Sequence, residues 1–360
     1  MIKFIASFFY FFRYLFVIKQ VDVLFYYPKH FNRGDNGENL FFKPLYESCK
    51  LNNISYLIFE EPDRKSDQIR NKEAVPFDFI YFLIILLRKI GFSEQKIGKI
   101  LSFTFLRGIK FKNYIVLSQS MLEIFRVVNK GAKLFDLQHG IIHSDKESYI
   151  KNNIVHSKLS ENNVELLVLG EEFKEILEKS DFSNYLKENT HVIGTTKHKA
   201  FFHTHPNRFI LVTLQITEDH TEEQNQKLLD EVINMVNVNE DLVFFIRNHP
   251  RFNNNLDLSE LLKKTNVAPT SLMQCFKDCS IHVTAYSTTS FECAEFGIPT
   301  VFLKSLKDNF NMFENEFKYP FDASLKDIFL EYKKYSNEVI SWRKRFYSHF
   351  DEKKFRSLLK

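Results

Sequence analysis

Hydroxyl-bearing residues are concentrated where a predicted strand in the second half of the chain gives way to a predicted helix. The predicted strand is at residues 281–284, and Ser287, Thr288, Thr289 and Ser290 follow it closely. The first N–H groups of a helix have no partner within the helix, and the helix dipole is positive at that end. This pattern predicts a phosphate-binding loop. A plain N-cap role for Ser287 or Thr288 is the alternative.

Two carboxylates, Glu292 and Glu295, follow in the opening turns of the same helix. From this position a carboxylate can accept hydrogen bonds from ribose hydroxyl groups. A Gly-Ile-Pro turn at residues 297–299 then leads into another apolar run at residues 300–303. We therefore expect a nucleotide whose phosphate lies at the hydroxyl loop and whose ribose contacts these two carboxylates.

A second group of candidate residues follows the apolar run at residues 242–246. Arg247, His249 and Pro250 come directly after this run, and Pro250 biases His249 away from helical geometry. In open α/β sheets, ligands bind at the carboxyl ends of the parallel strands. The hydroxyl loop lies one β/α unit further along the chain. We therefore expect Arg247, His249 and Pro250 to belong to the same nucleotide site.

A third group follows the predicted strand at residues 134–137 and consists of Gln138, His139 and Gly140. A histidine in this position can act as a general base near neutral pH. Gly140 permits a tight turn and a close approach to a ligand, and Gln138 can orient the imidazole or bind a substrate hydroxyl. A structural histidine at a strand end explains the same residues equally well.

Taken together, these motifs resemble the GT-B glycosyltransferases that build bacterial surface polysaccharides. The similar families are the capsule-synthesis transferases, the sialyl- and Kdo-transferases with HP and S motifs, and the teichoic-acid glycerophosphotransferases. Residues 166–171 and 191–194 resemble the pair of strands that closes the N-terminal domain of such enzymes. The resemblance covers roughly residues 110–305, at the level of pattern.

The resemblance implies a role for each group of residues. It makes His139 the candidate catalytic base, and it places His249 and Arg247 on the nucleotide phosphate. The hydroxyl residues that complete this phosphate site are Ser287, Thr288 and Thr289. The acidic motif of some sialyltransferases is not evident, because Gly170-Glu171-Glu172 holds the same residue types in reversed order. Glu171 and Glu172 are therefore alternative candidates for the base.

The reaction implied by the resemblance is a metal-independent, inverting transfer of a sugar from a nucleotide-sugar donor to a surface glycan or lipid-linked glycan. The HP and S motifs favour a cytidine nucleotide such as CMP-sialic acid or CMP-Kdo, and UDP and GDP remain open. No cofactor is expected. One alternative is a sugar-nucleotide epimerase of the same fold, and another is a non-catalytic nucleotide-sugar-binding scaffold for polysaccharide assembly.

Strand-like runs alternate with helix-length segments along the chain, which predicts right-handed βαβ crossovers and parallel sheets. A first sheet is predicted from residues 21–27, 54–59, 114–118, 134–137, 166–169 and 191–193. A second sheet is predicted from residues 209–214, 242–246, 266–268, 281–284 and 300–303. The predicted fold class is α/β, of the GT-B type, with two Rossmann-like domains whose parallel sheets face a central cleft.

The chain of 360 residues is long enough for two domains of ordinary size. We predict an acceptor-side domain at residues 1–200 and a nucleotide-sugar-binding domain at residues 201–322. The remaining residues, 323–360, form a helical tail that packs back on the first domain. A linker at residues 195–207 is the expected hinge.

Composition excludes several other classes of function. The net charge of +4 is too small to indicate nucleic-acid binding, and no dinucleotide, ATP-binding or hydrolase motif is present. The four cysteines, at positions 49, 275, 279 and 293, form no CxxC pair, which favours a reducing, cytoplasmic setting. No Asp-x-Asp triplet marks a metal site, and we expect none at His203 and His205.

Three apolar or basic segments bear on membrane association. Within residues 1–20, two apolar runs at 4–12 and 14–18 are interrupted by Arg13 and flanked by Lys3 and Lys19. This segment predicts an interfacial helix that rests on the inner face of the membrane. The apolar run at residues 77–87 is too short to span a bilayer and predicts a buried helix. The C-terminal residues 342–360 predict either a basic amphipathic helix or a solvated one.

Overall fold

A computed structural model of the protein describes residues 2–32, 34, 36–63, 68–196, 201–218, 220–249, 256–306 and 312–360. The α/β class is confirmed, because the structure contains a seven-stranded and a five-stranded sheet whose described strand pairs are all parallel. The chain divides into two compact units. Unit 1 comprises Met1–Thr196 and Tyr347–Lys360, and unit 2 comprises Lys197–Phe346.

The sheet of unit 1 has the strand order β3-β2-β1-β4-β5-β8-β9. Its strands are β1 Lys19–Pro28, β2 Tyr56–Glu61, β3 Val75–Pro76, β4 Ile109–Leu117, β5 Lys133–Leu137, β8 Val164–Val168 and β9 Thr190–Val192. A separate antiparallel hairpin joins β6 Ile150–Lys151 to β7 Ile154–Val155. The last six residues of β1 are all buried, as expected for a central parallel strand that is covered on both faces.

The helices of unit 1 are α1 Ile2–Arg13, α2 Lys43–Leu51, α3 Asp78–Lys89, α4 Glu94–Phe103, α5 Leu122–Val128, α6 Ser157–Ser160, α7 Glu171–Ser180 and α8 Tyr185–Asn189. A single 3-10 turn, Lys29–Phe31, follows β1. The C-terminal end of the chain returns to this unit through hydrogen bonds of Thr195 with Ser348 and Phe350, each 3.0 Å long. Gly194 permits this approach, because its φ is +74° and a Cβ there would lie 2.2 Å from a backbone oxygen of His349.

The sheet of unit 2 has the strand order β12-β11-β10-β13-β14. Its strands are β10 Phe209–Thr213, β11 Val243–Arg247, β12 Asn266–Val267, β13 Ile281–Thr284 and β14 Thr300–Phe302. Its helices are α9 Glu222–Val238, α10 Ser259–Lys264, α11 Leu272–Asp278, α12 Thr289–Glu295, α13 Leu325–Leu330 and α14 Tyr332–Phe346, with a π-helical turn at Met312–Glu316. The last helix of the chain, α15 Glu352–Leu358, belongs to unit 1.

A buried histidine ties together three strands of unit 2. The ring nitrogens of His282 on β13 are 2.9 Å from the Thr213 hydroxyl on β10 and 3.0 Å from the Thr300 hydroxyl on β14. Burial lowers the pKa of His282 to about 3, so this side chain is neutral at physiological pH. Both ring nitrogens of His282 therefore form hydrogen bonds to neighbouring strands of the sheet.

Candidate functional site

In the sheet of unit 2, the direction in which the chain adds successive strands reverses between β10 and β13. The chain leaves β10 toward β11 and leaves β13 toward β14, and these two strands lie on opposite sides of the central pair. Such a topological switch point opens a crevice at the carboxyl ends of the strands, where open α/β sheets bind their ligands. The loops after β10, β11 and β13 are therefore the candidate nucleotide site of this unit.

The loops after β10 and β13 are bonded to each other. Nε2 of His220 and the Tyr286 hydroxyl share a hydrogen bond. In the first turns of α9, the Asn225 amide group donates to the Thr217 carbonyl at 2.9 Å and accepts from the Thr217 N–H at 3.3 Å. His220, Tyr286 and Asn225 therefore fix the shape of the crevice, and sequence analysis assigned them no role. The polar residues after the apolar run at 209–214 were the signal that could have identified His220.

The four hydroxyl residues after β13 differ in what their side chains do. The Thr289 N–H donates to Ser287 Oγ at 3.2 Å, and the Ser290 hydroxyl, which is fully buried, donates to the Ser287 carbonyl at 2.7 Å. The Ser287 hydroxyl donates to Thr289 Oγ1 at 3.0 Å. Thr288 is exposed and makes no side-chain capping bond. Ser287 therefore acts as a cap, and Thr288 is the hydroxyl best placed for a ligand.

The basic residues at and beyond the end of β11 lie at the same edge of the sheet. Nη1 of Arg247 donates to the Pro269 and Thr270 carbonyls, at 2.9 Å each, so this guanidinium braces the loop after β12. A guanidinium carries five N–H donors, and a phosphate contact by Arg247 has to use the others. His249 is half-buried two residues beyond the strand end, whereas Pro250 lies outside the described residues.

The two carboxylates on α12 have different surroundings. Glu292 is exposed. Glu295 is paired with Arg343 on α14 at 2.7 Å, and only 8% of the Glu295 side chain and 10% of the Arg343 side chain are exposed. This pair holds α12 against α14, so a ribose contact by Glu295 would have to disturb a buried ion pair. Glu292 is the better placed of the two for a ribose.

In unit 1, His139 lies just beyond the end of β5. Its ring packs edge-on against Phe31 with a centroid separation of 5.0 Å, and its Nδ1 is buried without a hydrogen-bond partner among the described residues. Burial lowers the pKa of His139 to about 4, and the charge of Lys146 acts in the same direction. The imidazole is therefore neutral at pH 7 and able to accept a proton.

The residues on either side of His139 shape its loop. The buried side chain of Gln138 donates to the Gly140 carbonyl at 2.8 Å and accepts from the Leu169 N–H at 2.9 Å, so it fastens the loop to the end of β8. Gly140 has a negative φ, and a Cβ there would meet nothing within 4 Å, so the fold itself does not require glycine at this position.

The alternative base candidates start α7, directly after β8. Glu171 is exposed and Glu172 is half-buried. Because β5 and β8 are neighbouring parallel strands, these carboxylates lie at the same edge of the sheet as His139. Among the described residues, no group of three or more His, Cys, Asp or Glu side chains is arranged to hold a metal ion.

Three further titratable residues at this edge were not predicted from the sequence. His30 follows β1, Glu61 ends β2, and Asp63 lies two residues beyond Glu61. These residues could have been predicted from the polar pairs Lys29-His30 and Glu60-Glu61, which come at the ends of apolar runs.

Comparison with solved structures identifies the fold. Neither a family model nor a curated protein matches the chain. The wall teichoic acid polymerase TagF matches with a TM-score of 0.53 at 12% identity, over 99% of this chain and 92% of that one. A putative UDP-N-acetylglucosamine 2-epimerase from Listeria monocytogenes matches with 0.53 at 11% identity, over 94% and 95% of the two chains.

A third match is the UDP-GlcNAc 2-epimerase from Neisseria meningitidis bound to UDP-GlcNAc, with a TM-score of 0.54 at 9% identity over 95% of this chain and 98% of that one. At such identities the similarity concerns the fold alone. This similarity agrees with the two parallel sheets of the structure. The chain therefore has a GT-B-like fold with two Rossmann-like units.

Proposed function

We propose that the protein is a metal-independent, inverting glycosyltransferase that moves a sugar from a nucleotide-sugar donor to a surface-glycan acceptor. The observation that carries this proposal is the topological switch point of unit 2, where His249 follows β11 and the loop at Ser287 and Thr288 follows β13, the strands on either side of β10. Solved structures of this fold support a nucleotide ligand, because they include TagF soaked with CDPG and an epimerase bound to UDP-GlcNAc.

In this mechanism unit 2 is the nucleotide-sugar-binding domain and unit 1 is the acceptor-side domain. As the bond between sugar and phosphate breaks, negative charge grows on the leaving phosphate. Donors already aimed at this phosphate, from His249 and the Thr288 loop, stabilise the transition state more than the ground state. His139 of unit 1 removes the proton of the attacking acceptor hydroxyl.

The donor we favour carries a cytidine nucleotide, and the acceptor we favour is a capsular or lipopolysaccharide glycan. The HP and S motifs favour cytidine, and the TagF structure soaked with CDPG is consistent with that choice. The cysteines are free and buried, in keeping with a reducing cytoplasmic setting on the inner face of the membrane.

Thr288→Ala is expected to weaken nucleotide binding by about 1–3 kcal/mol, the scale of a hydrogen bond to a charged group. Ser287→Ala is expected to lower the melting temperature as well, because it removes the acceptor of the Thr289 N–H. Calorimetric titration combined with thermal melting measures both effects. The matched control is Ser324→Ala, which removes the capping box of α13.

The Ser324 variant should lose stability and keep its nucleotide affinity. If a folded Thr288→Ala variant binds nucleotide with unchanged affinity, the loop acts only as a helix cap.

A sugar-nucleotide epimerase is the second candidate, and one observation favours it. His30, Glu61 and Asp63 supply acid and base groups at the sheet edge that also carries His139. Incubation of the protein with CMP-, CDP- and UDP-sugars in the absence of acceptor distinguishes an epimerase from a transferase. Inversion at a sugar carbon, followed by proton NMR, identifies an epimerase, whereas a transferase leaves the donor sugar unchanged until acceptor is added.

We also propose that unit 1 rests on the membrane through an exposed stripe of α1 and the turn after it. The stripe has helical i,i+3 and i,i+4 spacing and consists of Ile2, Ile5, Phe9, Phe12 and Phe16. Lys3, Arg13 and Lys19 surround it with positive charge, which suits anionic lipid. No described helix is long and apolar enough to cross a bilayer.

The double variant Phe9→Ser and Phe16→Ser is expected to lose most of its binding to vesicles of anionic phospholipid. These rings are 64% and 77% exposed, so the fold should tolerate their removal. Deleting the whole segment is a poorer test, because Phe11 is fully buried and packs on Phe59 and Phe77.

Flotation on a sucrose gradient measures the binding. The control is Leu51→Ser at the end of α2, where an apolar side chain is 76% exposed outside the stripe. Wild-type protein that never floats with such vesicles contradicts the proposal.

A further inference from the structure

Unit 1 contains a cavity of about 800 Å³ that the proposed mechanism does not yet use. Its walls come from α1, α3 and the segments that follow β1 and β2. One group of lining residues, here called the polar wall, includes His30, Glu61, Asp63 and Arg70, and a second group, the apolar wall, consists of Phe4, Phe82 and Ile85. The cavity lies at the carboxyl end of β1 and β2, the edge of the sheet that also carries His139.

The polar wall is pre-organised by hydrogen bonds. His30 Nδ1 donates to Asp63 at 2.8 Å, and the Tyr26 hydroxyl donates to Glu61 at 2.7 Å. Burial raises the pKa of Glu61, while the hydroxyl groups of Tyr26 and Tyr81 act in the opposite direction. These partners hold the carboxylates and the imidazole in fixed positions from which they can bind a ligand.

The charges of the wall argue against an anionic ligand. Three carboxylates line the cavity, Glu61, Asp63 and Asp78, against the two cations Arg70 and Lys89. Arg70 already donates to both oxygens of Asp78, at 2.7 and 2.9 Å. A phosphate would meet these carboxylates with its own negative charge, whereas the hydroxyl groups of a neutral sugar can donate to them.

The apolar wall of the cavity is formed by α1 and α3. Phe4 on α1 and Phe82 on α3 line it with Ile85, and the two rings meet edge to face at 5.7 Å. Phe4 is 37% exposed and Phe82 is 49% exposed, so the aromatic wall continues onto the surface. The burial predicted for residues 77–87 holds for one face of α3 only, and the other face is open to solvent.

The cavity is also close to the proposed catalytic base. The His30 ring lies 4.4 Å from the Phe31 ring, and the Phe31 ring lies 5.0 Å from the His139 ring, measured between centroids. The charge of His30 is one of the influences that lower the pKa of His139. Phe31 contacts both imidazole rings, and His139 is not among the residues that line the cavity, so His30 is the imidazole that a bound sugar would contact.

We propose that this cavity is the acceptor site and binds a neutral, hydroxyl-rich sugar of a membrane-anchored glycan. Glu61, Asp63 and His30 bind the sugar hydroxyls, Phe4 and Phe82 pack against its apolar face, and the anchor leaves along the α1 stripe. This assignment rests on the proposed function, since it names the acceptor of that transfer.

Saturation-transfer NMR with methyl glycosides of glucose, galactose, N-acetylglucosamine and N-acetylgalactosamine tests the assignment. At least one of these sugars is expected to bind the wild-type protein, and Glu61→Gln is expected to weaken that binding at least tenfold. Glutamine keeps an oxygen for the Tyr26 hydroxyl, so the cavity should keep its shape. Phe82→Ala is the second variant, and it removes the aromatic wall without touching a polar group.

The matched control is Glu73→Gln, which removes the charge of a carboxylate that pairs with Lys50 outside the cavity. It should leave sugar binding unchanged. Wild-type protein that binds CDP but none of the four sugars overturns the acceptor site, as does equal binding by wild type and both cavity variants. Protein that binds a sugar in the cavity but no nucleotide overturns the proposed transferase and leaves the sugar site standing.

Discussion

Replacing His139 with alanine is expected to lower the rate of sugar transfer by about 10²–10⁴-fold, the usual contribution of a general base. Donor binding should be unchanged, because the residues assigned to the donor phosphate belong to unit 2. Nucleotide release under saturating donor and acceptor measures the rate, and calorimetry measures donor affinity. Gln138→Ala is the comparison that reports on the loop itself, because Gln138 bonds the loop to Leu169.

The pH dependence of the same reaction adds a second readout for His139. Because burial holds the pKa of His139 at about 4, the imidazole is neutral and able to accept a proton from physiological pH down to about pH 4. The acid limb of kcat/KM is therefore expected near pH 4 in the wild-type protein and should disappear in His139→Ala. An acid limb that persists in His139→Ala, or a loss of only a few-fold in that variant, would move the base assignment to Glu171 or Glu172.

His249→Ala is expected to weaken nucleotide binding by about 1–3 kcal/mol, which corresponds to roughly 5–150-fold in the dissociation constant. The reason is the loss of a hydrogen bond to a charged phosphate at the carboxyl end of β11. The melting temperature should change little, since His249 is only half-buried and lies beyond the strand.

The control for this variant is His203→Ala. His203 precedes β10, and its Nε2 bonds the Phe276 carbonyl, so it belongs to the opposite end of the sheet. It should leave nucleotide affinity unchanged. A folded His249 variant that binds nucleotide as tightly as the wild type contradicts the phosphate role. Arg247→Ala is a less direct test, because the loop after β12 would lose its brace.

Most of the fold could be predicted because it depends on short apolar runs separated by helix-length segments. Every strand predicted for the two sheets overlaps one in the structure, with ends displaced by a few residues. The edge strand β3, Val75–Pro76, was missed. It has two residues, and its proline cannot donate to a sheet ladder, so the segment carries no strand pattern.

The candidate site was predictable only in part. Polar residues at strand ends identified His139 and His249, because carboxyl ends of parallel strands share one edge. The partners of Arg247 and Glu295 were not predictable, because the Thr270 carbonyl and Arg343 lie 23 and 48 residues away along the chain. The cavity proposed as the acceptor site could not be predicted for the same reason, since α1, α3 and the ends of β1 and β2 form it together. Long-range packing, which sequence spacing does not encode, decides these contacts.

Calorimetric titration of the wild-type protein with CMP, CDP, UDP and GDP tests whether the switch point of unit 2 binds the phosphate of a nucleotide. The expected result is one bound nucleotide per chain for at least one of the four, with CDP or CMP preferred. Both His249→Ala and Thr288→Ala should weaken that binding in proteins that melt normally. Absence of binding by all four nucleotides, or equal affinity in the wild type and both variants, would exclude a nucleotide-phosphate site at the switch point.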